Sequence, residues 1–211
     1  MSVYLYDESL LQKLKYWTEK TDIHVYSVDE TYRLFRTIAD NEKDAPIKLP
    51  LLCIKRIGGY TISNPNKKPM SFDGLMLDGD LETERSVNLN AIPISINYQL
   101  DVYARYLREA DSYMRNLVFN FINYPTLQVV IPYNGLKIEH NANIIISNNI
   151  EDNSTIPEKR LDQYSRMSIN LMIDDAYLWD TRVRSLVSLD ADGLKLEIKD
   201  KDSFIIEQVF S

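Results

Sequence analysis

The chain has 211 residues, of which 45% are hydrophobic, and a formal net charge of −7. That length suits one domain with elaborations, or at most two small ones, and the composition can build a core without covalent staples. A single cysteine, Cys53, excludes an intrachain disulfide framework, and mixed charges with no long basic block exclude a bulk electrostatic grip on nucleic acid.

The start, Met1-Ser2-Val3-Tyr4-Leu5-Tyr6-Asp7, has no basic region and no apolar run of signal-peptide length. No segment approaches the roughly 20 apolar residues of a membrane span, so no membrane contact is expected. The expected setting is aqueous and reducing, where the sequon Asn153-Ser154-Thr155 is a chance match. Fourteen tyrosines suit packed interfaces, and equally suit a coding sequence biased toward Tyr, Asn, Ile and Lys codons.

Leu10, Leu11, Leu14 and Trp17 fall at helical spacing and predict a helix over 8–20, with Asp7 placed to cap it. Ser27-Val28-Asp29-Glu30 has the S-x-x-E form of a capping box, in which Ser and Glu each satisfy an orphan backbone N–H. A second helix over 28–39 follows, with Val28, Tyr32, Phe35 and Ile38 as its apolar stripe. Pro46 and Pro50 precede a short strand over 51–57, which Gly58-Gly59 closes. Cys53 lies inside its apolar run and reads as a buried core residue.

From 60 to 90 no period survives among Pro65, Pro69, Gly74 and Gly79. A segment of that length is long for an internal loop, and is functional, mobile or an unresolved small hairpin. Residues 92–103 then alternate cleanly, with Ile92, Ile94, Ile96, Tyr98, Leu100 and Val102 on one side. The period switches to 3.6 at Ala104, and Leu107, Ala110, Met114, Leu117, Val118 and Phe121 define a helix over 105–123, ended by Pro125. Such a helix can fold back over the strand that feeds it.

Strands are expected at 126–132 and 136–147 around the hairpin turn Asn134-Gly135. A polar, acidic connector follows over 148–161. Residues 163–173 alternate again, apart from one slip between Tyr164 and Met167 that suggests a bulge. Residues 174–179 leave the sheet, and 194–198 with 204–210 make a terminal hairpin across Lys199-Asp200-Lys201-Asp202. The fold class is therefore α+β: a mixed, mainly antiparallel sheet with two or three helices on one face, a long loop over 60–90 and a C-terminal hairpin. The single domain spans 1–180, and 181–211 is an extension.

Catalytic chemistry is hard to assemble. His24 and His140 lie in different units without metal-ligand spacing, and read as surface or satisfied histidines. Asp190-Ala191-Asp192-Gly193 resembles the middle of a calcium loop, but Ser188 and Lys199 stand where the loop's end ligands belong, so it reads as a turn. Asp78, Asp80 and Glu82 form an acidic group that reads as solvated. An acid-dependent nuclease built on Asp101, Glu109 and Asp111 is the alternative of another class, but the converging carboxylates of a two-metal site cannot be gathered. No catalytic residue, cofactor or metal ligand is assigned.

The unit Ile94-Ser95-Ile96-Asn97-Tyr98-Gln99-Leu100-Asp101-Val102-Tyr103-Ala104, followed by Arg108-Glu109-Ala110, resembles the core of bacteriophage tail terminator, or tail-completion, proteins. There a strand of the form I-x-V-Q-I-D-V-aromatic-A precedes an amphipathic helix containing E-A. The capped helix, Pro46 and strand 51–57 upstream, and Asp174-Asp175-Ala176-Tyr177-Leu178-Trp179 downstream, are similar as well. The resemblance covers about residues 25–180; the 60–90 segment and the C-terminal hairpin depart from it. It implies a virion protein made in the host cytoplasm: a hexameric ring at the tail–neck junction that stops tail-tube and sheath growth. Its partners would be copies of itself, tube or sheath, and the head connector, with DNA passing through the lumen without specific binding. A baseplate or other tail protein is the structural alternative. The residues expected to make contacts lie on the long segment: Tyr60, Asn64, Lys67, Lys68, Phe72, Asp78 and Asp80.

Overall fold

Alternating apolar residues on one long strand set the centre of the molecule. The computed structural model describes residues 2–39, 48–63, 70–77, 84–133, 136–154, 164–179, 186–190 and 193–195. Along the chain run α1 (Ser2–Thr18), β1 (His24–Tyr26), α2 (Val28–Ala39), β2 (Leu51–Ile62), β3 (Met70–Leu77), β4 (Glu84–Ala104) and α3 (Leu107–Asn123). After α3 come β5 (Thr126–Tyr133), β6 (Leu136–Asp152), β7 (Ser165–Trp179), β8 (Leu186–Asp190) and β9 (Gly193–Lys195). All nine strands join one sheet, whose main path is β1-β2-β4-β7-β6-β5. β1 and β2 are parallel, and every other pairing is antiparallel. The α+β class expected from the sequence is the fold observed.

Ile94, Ile96, Tyr98, Leu100 and Val102 of β4 are all fully buried, with Leu52 and Ile54 of β2 and Ile169, Leu171 and Ile173 of β7 beside them. α1 and α3 cover this face: Tyr6, Leu10 and Leu14 come from α1, and Ala110, Met114, Leu117 and Phe121 from α3. The neighbouring strand positions, Leu51, Cys53 and Tyr103, meet Leu34 and Phe35 of α2 in a second, smaller cluster. Strand alternation therefore places α2 on the opposite face, over one end of β2 and β4.

Several boundaries differ from the sequence reading. α1 starts at Ser2, not at 8, because Tyr6 belongs to its buried stripe, so Asp7 lies inside the helix and caps nothing. Gly58-Gly59 does not close β2. Both glycines take left-handed φ angles, +67° and +80°, inside a register shift between Ile57 and Tyr60, and the strand resumes to Ile62. This is a bulge whose positive φ angles favour glycine at both positions.

The expected 60–90 loop is for the most part a β-hairpin, with β3 pairing antiparallel to residues 84–91 of β4. β4 is consequently 21 residues long. Residues 174–179 stay in the sheet as well: β7 runs on to Trp179, and a bulge at Asp174-Asp175 restores its pairing with β4. Asp175 takes φ +58° there, a conformation that Asp tolerates better than most residues. The slip between Tyr164 and Met167 causes no bulge, since pairing from Ser165 to Met167 is continuous. A third bulge lies on β6, between Ile146 and Ile150, and β6 extends into the expected connector as far as Asp152.

Asn134-Gly135 lies outside the described residues, but Tyr133 pairs with Leu136 across it. Asp190 likewise pairs with Gly193, as a turn at Ala191-Asp192 requires. β8 also pairs with β4, so the part after residue 180 joins the main sheet. Of the expected terminal hairpin, only Leu194 and Lys195 are among the described residues. No described helix is long and apolar enough to cross a membrane.

Candidate functional site

Beyond Ala91, β4 leaves the helices behind. Its first residues are flanked by β3 on one side and β8 on the other, and β9 adds outside β8. Among the described residues the main packing of the three helices is on β1, β2, β4, β5, β6 and β7. The result is a four-stranded arm continuous with the sheet. Its root on β2 exposes three large apolar side chains: Ile57, Tyr60 and Ile62 are 43%, 45% and 40% exposed.

The expected contact residues sort onto this arm. Tyr60 is at its root, and Phe72 stands on β3 in register with Leu89. Asn64, Lys67, Lys68, Asp78 and Asp80 lie outside the described residues. The apolar character of the root was not foreseen: Ile57 and Ile62 flank the glycine bulge, and the sequence reading ended the strand at that bulge.

The second polar feature is buried. Asp101 lies on the α2 face of β4 and is fully buried, not exposed as its polar neighbours in β4 suggest. Lys55 Nζ is 2.8 Å from its carboxylate, Arg166 Nη2 is 3.3 Å away, and Ser168 Oγ donates to it at 2.6 Å. Gln99 Nε2 donates a further hydrogen bond at 2.8 Å. Lys55 also sits over the Phe35 ring of α2, 4.1 Å from its centroid. Burial works against the charged carboxylate, but Lys55, Ser168 and Arg166 together outweigh it and hold Asp101 below the usual carboxylate range.

Asp101 and four partners, on three adjacent strands, meet here, a convergence that only the register reveals. The carboxylates weighed for a nuclease do not meet: Glu109 and Asp111 are on α3, across the sheet from Asp101. Among the described residues no group of three or more His, Cys, Asp or Glu side chains is placed to hold a metal ion.

On the helix side, Asp7 of α1 accepts hydrogen bonds from Tyr98 Oη at 2.7 Å and Arg56 Nη1 at 3.0 Å. Burial raises its pKa, against the opposing pull of Tyr98 and Arg56. Cys53 is fully buried and its thiol is pushed up to about 12 by desolvation, so it carries no nucleophilic thiolate.

The two histidines are far apart in the sheet order. His140 on β6 stacks edge-on against Tyr177 and Trp179, and its Nε2 lies 2.7 Å from the Asp175 carbonyl oxygen. His24 lies on edge strand β1, beside an open groove of about 450 Å³ shared with Lys15, Thr18, Glu19, Tyr26 and Glu30. His140 is thus a satisfied histidine, whereas His24 Nε2 is buried with no hydrogen-bond partner among the described residues, unlike the surface or satisfied histidine expected.

The main path of the sheet ends at β1 and β5, and β3 and β9 are the edge strands of the arm. β1 has three residues; β5 has eight, with Val130 42% exposed. No family model matches this chain, and no curated protein matches it significantly.

Proposed function

We propose that this chain is a virion structural protein: the subunit of a ring that terminates a phage tail tube and joins the tail to the head connector. The observation that carries the reading is the arm. A β-sheet stabilises itself by burying a face against a second layer, and a few strands without such a layer are marginal in water. An arm without extensive helical packing among the described residues, rooted in exposed Ile57, Tyr60 and Ile62, is therefore suited to a protein partner. Neighbouring copies in a ring supply that partner through heterologous contacts, one patch against a different one, repeated until the ring closes.

The β4–α3 unit supports the same reading, because it is the part of the chain that resembles tail terminators, and it forms a continuous strand followed by a packed helix. The resemblance sets the copy number at six and the partners as tube or sheath and connector. The protein is made in the host cytoplasm and works in the virion, without a cofactor. DNA crosses the lumen without specific binding, and a net charge of −7 is compatible with a lining that repels phosphate.

The test is the assembled tail. Electron microscopy of particles carrying a labelled version of this chain should place the label at the tube–neck junction. A label at the baseplate would refute the terminator role while leaving a structural one.

A further inference from the structure

Among the described residues the helices leave much of one sheet face bare. Tyr98, Leu171, Ile144 and Val129 belong to the main apolar cluster under α1 and α3. Strand alternation therefore turns their neighbours Asn97, Met172, Ile145 and Val130 to the opposite face. α2 is the helix on that face, and it packs on β1 and β2 beside Leu51, Cys53 and Tyr103. Beyond it, Ile57, Asn97, Met172 and Ile145 pair in register across β2, β4, β7 and β6 and form one row over four strands. Ile57, Val130 and Ile145 are 43%, 42% and 47% exposed, and Asn141 and Asn170 are exposed beside them.

An antiparallel sheet can face water on one side, with polar residues outward. Here aliphatic side chains stand among amides, and the charged residues lie around the row and not in it: Lys55, engaged with Asp101, Glu139 and Asp174. The whole chain has 26% charged residues and a net charge of −7. Copies of it repel least where the surfaces that meet are uncharged, and depletion of charge marks the core of an interface.

The arm of a second copy fits this face. It is the other part of the sheet without extensive helical packing among the described residues, and two such sheets stabilise one another by stacking about 10 Å apart. Four strands at about 4.8 Å each, with the eight residues of β3 at some 3.3 Å, give the arm a face of roughly 500 Å². The bare face is five strands wide and about five residues long, or roughly 400 Å². That is half of the about 800 Å² that each partner gives to a standard interface. One contact is too small to hold a pair, whereas a copy in a closed ring is held twice, by its face and by its arm. Two bare faces paired with each other would make one contact per copy and leave both arms uncovered.

We propose that the bare face around Asn97, Met172 and Ile145 is the docking surface for the arm of a neighbouring copy. The contact is heterologous, arm against face, and it rests on the ring proposal, for which it supplies the surface that receives the arm.

Photo-cross-linking of the full chain tests it. Chain carrying p-benzoylphenylalanine at position 145 is mixed at high concentration with an isotopically heavy chain, so that mass spectrometry distinguishes links between copies from links within one. The intercopy links should join position 145 to residues 70–91 of the heavy chain. The same probe at position 97 should find the same partner, and a probe at position 119, on the helical side, should not. Ile145→Asp, which puts a charge into the row, should lower the yield from position 97 about tenfold or more, while the midpoint of thermal unfolding stays within roughly 5 °C. Links from 145 to 145, links to the helical surface, or no intercopy links at all would overturn the contact. The place of the chain in the virion is read separately by the labelled tails, so a failed contact and a failed terminator role give different results.

Discussion

Asp101 sits between two cations, with Lys55 at 2.8 Å and Arg166 at 3.3 Å from the same oxygen. Asp101→Asn keeps the shape and removes the charge, leaving two cations facing one another at the edge of the core. The expected loss is about 3 kcal/mol of unfolding free energy, measured by urea denaturation near neutral pH. The pH dependence follows from the depressed folded-state pKa. The carboxylate's contribution is present above the unfolded value of about 3.9 and is lost as pH falls through the lower folded value. The gap between the two proteins should therefore narrow progressively in acid; a gap that stays constant down to about pH 2 would mean that Asp101 does not titrate as its partners dictate. Asp7 works in the other direction. Its pKa is raised by burial, so its contribution is largest when it is protonated and declines as pH rises through the folded value.

At the scale of elements, α2 and α3 offer separate checks. Ser27 N donates to Glu30 Oε2 at 2.8 Å, and Glu30 N donates to Ser27 Oγ at 3.2 Å, which closes the capping box read from the sequence. Ser27→Ala should cost about 1 kcal/mol in thermal or urea unfolding. On α3, Leu117 is 3% exposed and Phe119 is 61% exposed. Leu117→Ala should destabilise by about 2–5 kcal/mol, while Phe119→Ala should change stability by less than about 0.5 kcal/mol. Equal costs would mean the helix presents a different face to the sheet. These elements were legible because burial imprints a period, as in the switch from 2 to 3.6 at Ala104. The arm was not, because Pro65, Pro69, Gly74 and Gly79 break any period along it, and because Gly58-Gly59 serves a bulge as readily as a terminus. Asp101 was visible as a polar residue on an alternating strand. Its burial was not, since it depends on α2 covering the opposite face and on Arg166 and Ser168 arriving from β7, which sequence spacing does not encode.

For the whole molecule, the division between core and arm makes the ring proposal separable from folding. The helices and both apolar clusters lie on the part of the sheet built from β1, β2, β4 from Ala91 onward, β5, β6 and β7. Ile62 pairs with Ile94, and Ser63 N donates to Pro93 O, so β2 and β4 are already adjacent where the arm begins. Excising residues 64–90 and joining Ser63 to Ala91 through two glycines replaces the arm by a tight connection. The core should then unfold cooperatively with a midpoint within roughly 5 °C of the full chain, because every described residue of the two apolar clusters is kept. Assembly should fail. The full chain, alone at high concentration or added to tails awaiting completion, should form rings visible by negative-stain microscopy, and the excised chain should neither form rings nor complete tails. Rings of normal diameter from the excised chain would move the subunit contacts to β1 and the helical surface. Loss of cooperative unfolding would instead make the arm part of the folding unit, and its exposed root would then need no partner to explain it.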